Sequence, residues 1–327
     1  MIRAMYRRPD GAIRFDVKPD EFSNLIRDPA GLLWVDLVQE LPTNCEPILR
    51  DSFGFHPLAV ADALVQSHVP KVDDWGDYLY VVLHAVAFDQ NGGELTTLEL
   101  DVFWGNTYVV THQSHALDAV ERVWAACHRD ERHLAAGAGY LMYRLADELV
   151  SDYMPAVEGI DEAIDRIEDQ VFLAPPATLP EQIFTLKRTL LHLRRIIAPQ
   201  REVLNKLARG DFAVVAPGDR IYFRDVYDHL VRMYDIIESL RDLVGGVLET
   251  YLSVVNNRMN EVMKTLTLIT TLFMPLSFLA GFFGMNFFAP VAPFDAWTDE
   301  PAFLITLVLM IATPVIMYAW MRRRAWM

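Results

Sequence analysis

Asn260, Thr267, Met274 and Gly281 fall seven residues apart in a stretch that is otherwise apolar, and Leu266, Thr270 and Ser277 lie beside them on neighbouring positions. Amide and hydroxyl groups at this spacing make poor nucleophiles and poor acids. What they offer is a modestly polar strip along one narrow helix face, and a seven-residue repeat holds such a face against symmetry-related copies of the same helix. Ser277 and Gly281 alone would equally suit a small-residue packing stripe in a helix bundle. Asn260 and the threonines fit that bland role less well.

Other polar groupings carry less. His112 and His115 are three apart in "HQSH". They straddle a predicted strand end and helix start with no cysteine or carboxylate beside them, so the pattern reads as a turn and helix cap. His56 and Asp62 share a short predicted helix in "HPLAVADAL", but a catalytic site would need a third group and a pocket. There is no Gly-rich phosphate loop, nucleophile elbow or zincin motif, so the sequence points to neither an enzyme nor a nucleotide-driven pump. Cys45 and Cys127 form no disulfide framework and no C-x-x-C pair, and read as isolated buried thiols. A formal net charge of -15 argues against a nucleic-acid partner and is compatible with attraction of cations.

The polar strip needs a helix to carry it, and that helix needs a membrane. From Thr265 to Phe294 there are thirty residues without Asp, Glu, Lys or Arg, and from Ala302 to Met321 there are twenty more. Each run is long enough to cross a bilayer as a helix. "MRRRAWM" at the end reads as a stop at the cytoplasmic surface, with Trp320 and Trp326 suited to the interface. Arg258 and Lys264 place the entry to the first span on the same side. The link between spans carries Asp295, Asp299 and Glu300 and no basic residue, and is expected to face outward. Two spans per chain cannot enclose a polar route, so several copies are implied. "MIRAMYRRPDG" has no apolar run behind its basic residues and does not read as a signal peptide.

The expected organisation is a cytoplasmic α/β domain over 1–115, a helical layer over 116–218, a stalk helix over 219–264, a pore-lining span over 265–285, an external loop over 286–301, a second span over 302–321 and a basic tail over 322–327. Strands are predicted at 31–37, 77–88, 95–104 and 106–113, with a hairpin turn in "DQNGGE" and two short helices around Gly54. Long helices are predicted at 139–172 and 179–210, the latter kinked at "IAPQR". A last helix with no strong breaker from Arg220 to Phe283 would run 64 residues, or about 96 Å.

"NEVMKTLTLITTLFMPLSFLAGFFGMNF" resembles the signature region of the CorA-type divalent metal transporter family, whose hallmark triplet matches Gly284-Met285-Asn286. "MPLSFLAG", the basic tail and "FGFHPLAVADAL" are similar to family motifs too, so the resemblance covers nearly the whole chain. It implies an α+β cytoplasmic domain with long helices and two transmembrane helices per chain. The assembly it implies is a funnel-shaped homopentamer in the inner or plasma membrane, both termini cytoplasmic, with five first spans around a pore. It implies that Asn286, with Gly284 and Met285, forms the selectivity collar and Asn260 a polar ring nearer the cytoplasm. Met274 and Leu266 become hydrophobic constrictions, Ser277 stands where a family threonine often sits, and Thr267, Thr270 and Gly281 line the route. Asp225 and Glu249 become regulatory divalent-cation sites between subunits, with Asp62 as a partner of Asp225. Mg²⁺ is then both substrate and regulatory ligand, with Co²⁺ a further substrate, and no catalytic cofactor is needed. The loop "FFAPVAPFDAW" after Asn286 departs from the acidic family pattern. Two alternatives stand beside this one: a Zn²⁺, Ni²⁺ or Co²⁺ transporter on the same fold, and a membrane scaffold or sensor that conducts nothing.

Overall fold

The computed structural model describes residues 1–15, 17–65, 69–89, 94–173, 176–285 and 300–323, and the chain divides into two compact units, Met1–Thr250 and Tyr251–Met327. The expected turn at 90–93, most of the link between the spans, and Arg324 lie outside the described residues.

In the first unit the strands are β1 (Ile2–Arg7), β2 (Ile13–Arg14), β3 (Leu32–Val38), β4 (Lys71–Asp74), β5 (Tyr78–Asp89), β6 (Glu94–Gly105) and β7 (Tyr108–Gln113). They form one sheet in the order β2-β1-β3-β7-β6-β5-β4. Only β3 and β7 pair in parallel, with Val35 opposite Val110; the other neighbours are antiparallel. The expectation of a partly antiparallel sheet therefore fits. Sequence reading missed β1, β2 and β4, because "IRAMYR" mixes charge with apolar residues and "KVDD" has a single apolar residue.

Every residue of β3 is buried, the mark of a strand covered on both faces. One face carries α1 (Phe22–Leu25), α2 (Pro42–Pro47) and α3 (Pro57–Leu64). Their residues Phe22, Cys45 and Val60 close a core with Leu33, Val35, Tyr80, Phe103 and Val110. A π-helical turn, Ile48–Ser52, continues α2 ahead of Gly54. The opposite face is covered by α4 (Asp118–Arg129), α5 (Arg132–Ala135), α6 (Ala138–Ser151), α7 (Tyr153–Leu173) and α8 (Leu179–Arg209). Trp34 of β3 meets Trp124 of α4 there, with ring centroids 4.8 Å apart.

The helix expected over 139–172 is two helices, α6 and α7, separated at Asp152. Helix α8 continues through Pro199 and ends at Gly210, whose φ of 72° is the left-handed conformation that glycine adopts without penalty. There the Gly210 amide donates to the Leu207 carbonyl and the Asp211 amide to that of Lys206, a Schellman-type stop.

The ninth helix, α9, runs without interruption over Arg220–Gly284, 65 residues, close to the stretch expected from the absence of breakers. Its early part belongs to the first unit, where Phe223, Val226, Leu230, Ile237 and Val247 are buried, and Phe223 packs on Trp104 of β6 at 5.5 Å. The second unit holds the remainder of α9 and α10 (Glu300–Arg323). A window of α9, and Leu304–Arg323 of α10, are long and apolar enough to cross a membrane, and no residue of the α9 window is buried. Phe273, Met274 and Phe278 of α9 and Ile305, Ile311 and Ile316 of α10 are all more than half exposed. A soluble protein does not leave so much contiguous apolar surface in water, whereas a lipid bilayer covers it.

Candidate functional site: a polar strip on a membrane-spanning helix

At 100° per residue, the seven expected pore positions Asn260, Leu266, Thr267, Thr270, Met274, Ser277 and Gly281 fall within an arc of about 120° on α9. All seven are exposed. Each heptad step drifts by only about 20° on a straight helix, so Asn260, Thr267, Met274 and Gly281 keep one face over three steps.

Local hydrogen bonding shapes what this face presents. Thr270 donates its hydroxyl hydrogen to the Leu266 carbonyl at 2.9 Å, and Thr265 does the same to Glu261 at 2.9 Å. A threonine bonded this way keeps its lone pairs outward and acts as an acceptor. Leu266 and Met274, by contrast, are exposed by 56% and 66% and offer no polar atom that competes for water. Gly284 closes the helix, and the Met285 amide donates to the Phe282 carbonyl at 3.3 Å. Asn286, the third member of the triplet, lies outside the described residues, as do Asp295 and Asp299 of the following link.

Seven-residue steps also continue down the same helix. Asp228, Asp235, Asp242 and Glu249 follow one another at this interval and are all exposed. This acidic series escaped sequence reading, which stopped at the membrane-proximal end. The signal was present in the same periodicity, within the helix expected from Arg220 to Phe283, but only Glu249 of the series was singled out. Asp242 is held by Arg241 at 3.0 Å.

The three expected regulatory carboxylates stand apart. Asp225 is exposed on α9, near enough to Asp147 of α6 for its charge to be felt there. Burial holds the Asp147 carboxyl above its usual range, and the nearby charges of Glu148 and Asp225 add to this, against Arg144 and His229. Glu249 is exposed two turns before Asn256. Asp62 on α3 is engaged by Lys71 of β4, whose Nζ also reaches Asp73 at 2.8 Å. Among the described residues no three His, Cys, Asp or Glu side chains converge as a metal site within one chain. The carboxylates of Asp225 and Glu249 are exposed, whereas that of Asp62 is paired with Lys71.

His112 corrects the sequence reading. It is not in a turn or cap but on β7, buried, directly opposite Asp101 of β6 in the antiparallel register. Its Nδ1 lies 3.1 Å from Asp101 Oδ2, and the Tyr80 hydroxyl donates to Asp101 Oδ1 at 2.6 Å. Cys45 of α2 stands beside the imidazole. Burial disfavours the charged ring, but Asp101 and Cys45 outweigh it and push His112 up to about 9. The carboxylate and cysteine that sequence reading found absent are brought in by the β6–β7 pairing and by α2. A second buried charge group lies on the opposite face: Arg3 donates to Asp36 at 2.7 Å and to Glu121 at 2.6 Å, over the Trp124 ring. Both groups hold the sheet rather than form an accessible site.

An α+β unit whose last helix runs on into the first of two helices long and apolar enough to cross a membrane defines a multi-pass membrane protein. The family description "CorA-like Mg2+ transporter protein" matches residues 29–323, and the chain belongs to that family of non-catalytic transporters. It is 35% identical over 302 residues to the cobalt/magnesium transport protein CorA of Thermotoga maritima, covering 92% of this chain and 85% of that one. The complete structure of the CorA magnesium transporter from Methanocaldococcus jannaschii superposes with a TM-score of 0.84 at 21% identity, over 100% of this chain and 99% of that one. A zinc transport protein, ZntB of Yersinia pseudotuberculosis, is 24% identical over 303 residues, covering 90% of this chain and 88% of that one.

Proposed function

We propose that this chain is one subunit of a homopentameric channel that carries Mg²⁺, and Co²⁺ as a further substrate, passively into the cell, with internal divalent cations closing it. The observation that carries this reading is the arc of seven expected pore positions, all exposed, on one unbroken helix that is long and apolar enough to cross a membrane. Five copies around an axis would turn that arc into a lumen and leave α10 toward lipid. The cobalt/magnesium transport of the Thermotoga relative supports the choice of ion. The first unit and both termini are then cytoplasmic, with Arg322 and Arg323 at the inner surface.

Mg²⁺ gives up water reluctantly and prefers six oxygens in octahedral array. A ring of Asn286 carbonyls is neutral and accepts hydrogen bonds from the ion's water shell without stripping it, so selection acts on the hydrated ion. The hydroxyl oxygens of Thr270 and the amides of Asn260 continue that acceptor path. Met274 and Leu266 close it by dewetting when the helices approach. On the cytoplasmic side the carboxylates of Asp225 and Glu249 repel their counterparts in neighbouring subunits. A divalent cation between them offsets the repulsion and favours the closed form, so high internal Mg²⁺ shuts the pore. Inward flux needs no ATP, because a membrane potential of ~100 mV contributes about 4.6 kcal/mol for a divalent ion.

The test is growth rescue of a magnesium-transport-deficient cell. Rescue by the wild type and its loss with Asn286→Ala supports the reading. Zinc rescue without magnesium rescue would move the cargo to that of the ZntB relative.

A further inference from the structure

The helical layer of the first unit carries two exposed stripes of opposite charge. On α7, Glu158, Asp161, Glu162, Asp165 and Asp169 are exposed and fall within an arc of about 100°, with Phe172, 71% exposed, on the same arc. On α8, Lys187, Arg188 and Arg195 are exposed within about 100°, around Phe184 (45% exposed) and Leu191 (37% exposed).

None of these eight charged side chains makes an ion pair among the described residues. That is unlike the surrounding arginines: Arg122 binds Glu148 and Asp152, Arg144 binds Asp147 and Glu148, and Arg194 binds Glu238. The two stripes do not pair with each other within one chain. Helices α7, α8 and α9 share an apolar seam of Ile164, Ile167, Ile183, Leu186, Val244 and Val247. Three helices around one seam turn their outer faces in different directions, so the acidic and basic stripes diverge.

We infer that the basic stripe of α8 docks on the acidic stripe of α7 in a second copy of this chain. Different surfaces meeting head to tail make a heterologous contact, the kind that closes into a ring when repeated. Apolar contact beside complementary charge is the anatomy of a specific interface: Leu191 lies between the basic residues, with Phe184 ahead of them and Phe172 at the end of the acidic stripe. Opposite charge also steers copies into one relative orientation. The inference rests on the homo-oligomeric reading above and names surfaces through which copies join outside the membrane.

The experiment uses the full chain in nanodiscs. Two differently tagged copies are co-expressed, one with Asp169→Cys and the other with Leu191→Cys, and treated with a long flexible bis-maleimide. Cys45 and Cys127 are buried, and a sample without introduced cysteines sets the background. The expected result is a covalent dimer bearing both tags. Adding Lys187→Glu, Arg188→Glu and Arg195→Glu to both copies should lower its yield at least threefold. Adding Asp161→Lys, Glu162→Lys and Asp165→Lys as well should restore it, which also shows that the reversed chain folds. An oligomer by light scattering with no two-tag product above background overturns the docking inference and leaves the oligomer standing, whether the basic stripe then lies in solvent or on anionic lipid. A monomeric wild type overturns both.

Discussion

Thr270 gives its hydroxyl hydrogen to the carbonyl of Leu266, 2.9 Å away and one helix turn earlier. The pair joins a polar position to an apolar one: Thr270 faces outward with lone pairs only, and Leu266 one turn below repels water. Replacing Thr270 by Val keeps the shape and removes the acceptor. Mg²⁺ flux into liposomes should fall severalfold with Thr270→Val and stay near wild type with Thr270→Ser. Equal flux from Val and wild type would remove Thr270 from the ion path.

Leu266 and Met274 should act in the opposite sense. Asn at either position lets water stay in the constriction and lowers the cost of opening. Leu266→Asn should raise flux at high internal Mg²⁺ by at least threefold, approaching the flux seen at low internal Mg²⁺. The check is the ratio of the two fluxes in one preparation.

Asp225 lies close enough to Asp147 to raise its pKa through charge, and burial there magnifies such effects. Asp225→Asn removes one negative charge per subunit from the proposed regulatory contact. The internal Mg²⁺ needed for half-closure should rise about fivefold, the equivalent of roughly 1 kcal/mol in binding. Asp62→Asn should shift it less, because Lys71 already neutralises that carboxylate. A larger shift from Asp62 than from Asp225 would reverse their roles.

Stability of the first unit should depend on His112. Its folded pKa of about 9 lies above the unfolded value of about 6.5. The stabilisation is therefore fully present below pH 6.5 and is lost as pH rises through 9. Asp101, pushed up to about 6 mainly by burial, is ionised across most of that window. The unfolding free energy should fall by at most about 3 kcal/mol between pH 6.5 and 9. His112→Gln should flatten the profile, read by denaturation of the full chain followed through tryptophan fluorescence.

Much of this fold is legible in the sequence. The apolar runs, the strand patterns at "GLLWVDL" and "DYLYVVLHAVAF", and the uninterrupted helix from Arg220 are local signals, and each survives in the fold. What was not legible depends on tertiary pairing. Strand β1 reads as a basic N-terminus because Arg3 is charged, yet its guanidinium is absorbed by Asp36 and Glu121. His112 looked solitary because Asp101 and Cys45 reach it only across the sheet and from α2. The break between α6 and α7 sits at Asp152, in a pattern whose helical periodicity barely falters. The shared face of Asn260, Thr267, Met274 and Gly281 was readable from spacing alone, since a helix fixes angles as strictly as it fixes rise.

The most direct test is Mg²⁺ flux into liposomes that contain only this protein, with internal Mg²⁺ varied and Asn286→Ala run in parallel. The expected result is inward flux driven by an inside-negative potential, suppressed as internal Mg²⁺ rises and lost or no longer Mg²⁺-selective in the variant. Absence of flux from an oligomeric wild-type preparation, or flux indifferent to Asn286, would contradict a selective Mg²⁺ channel.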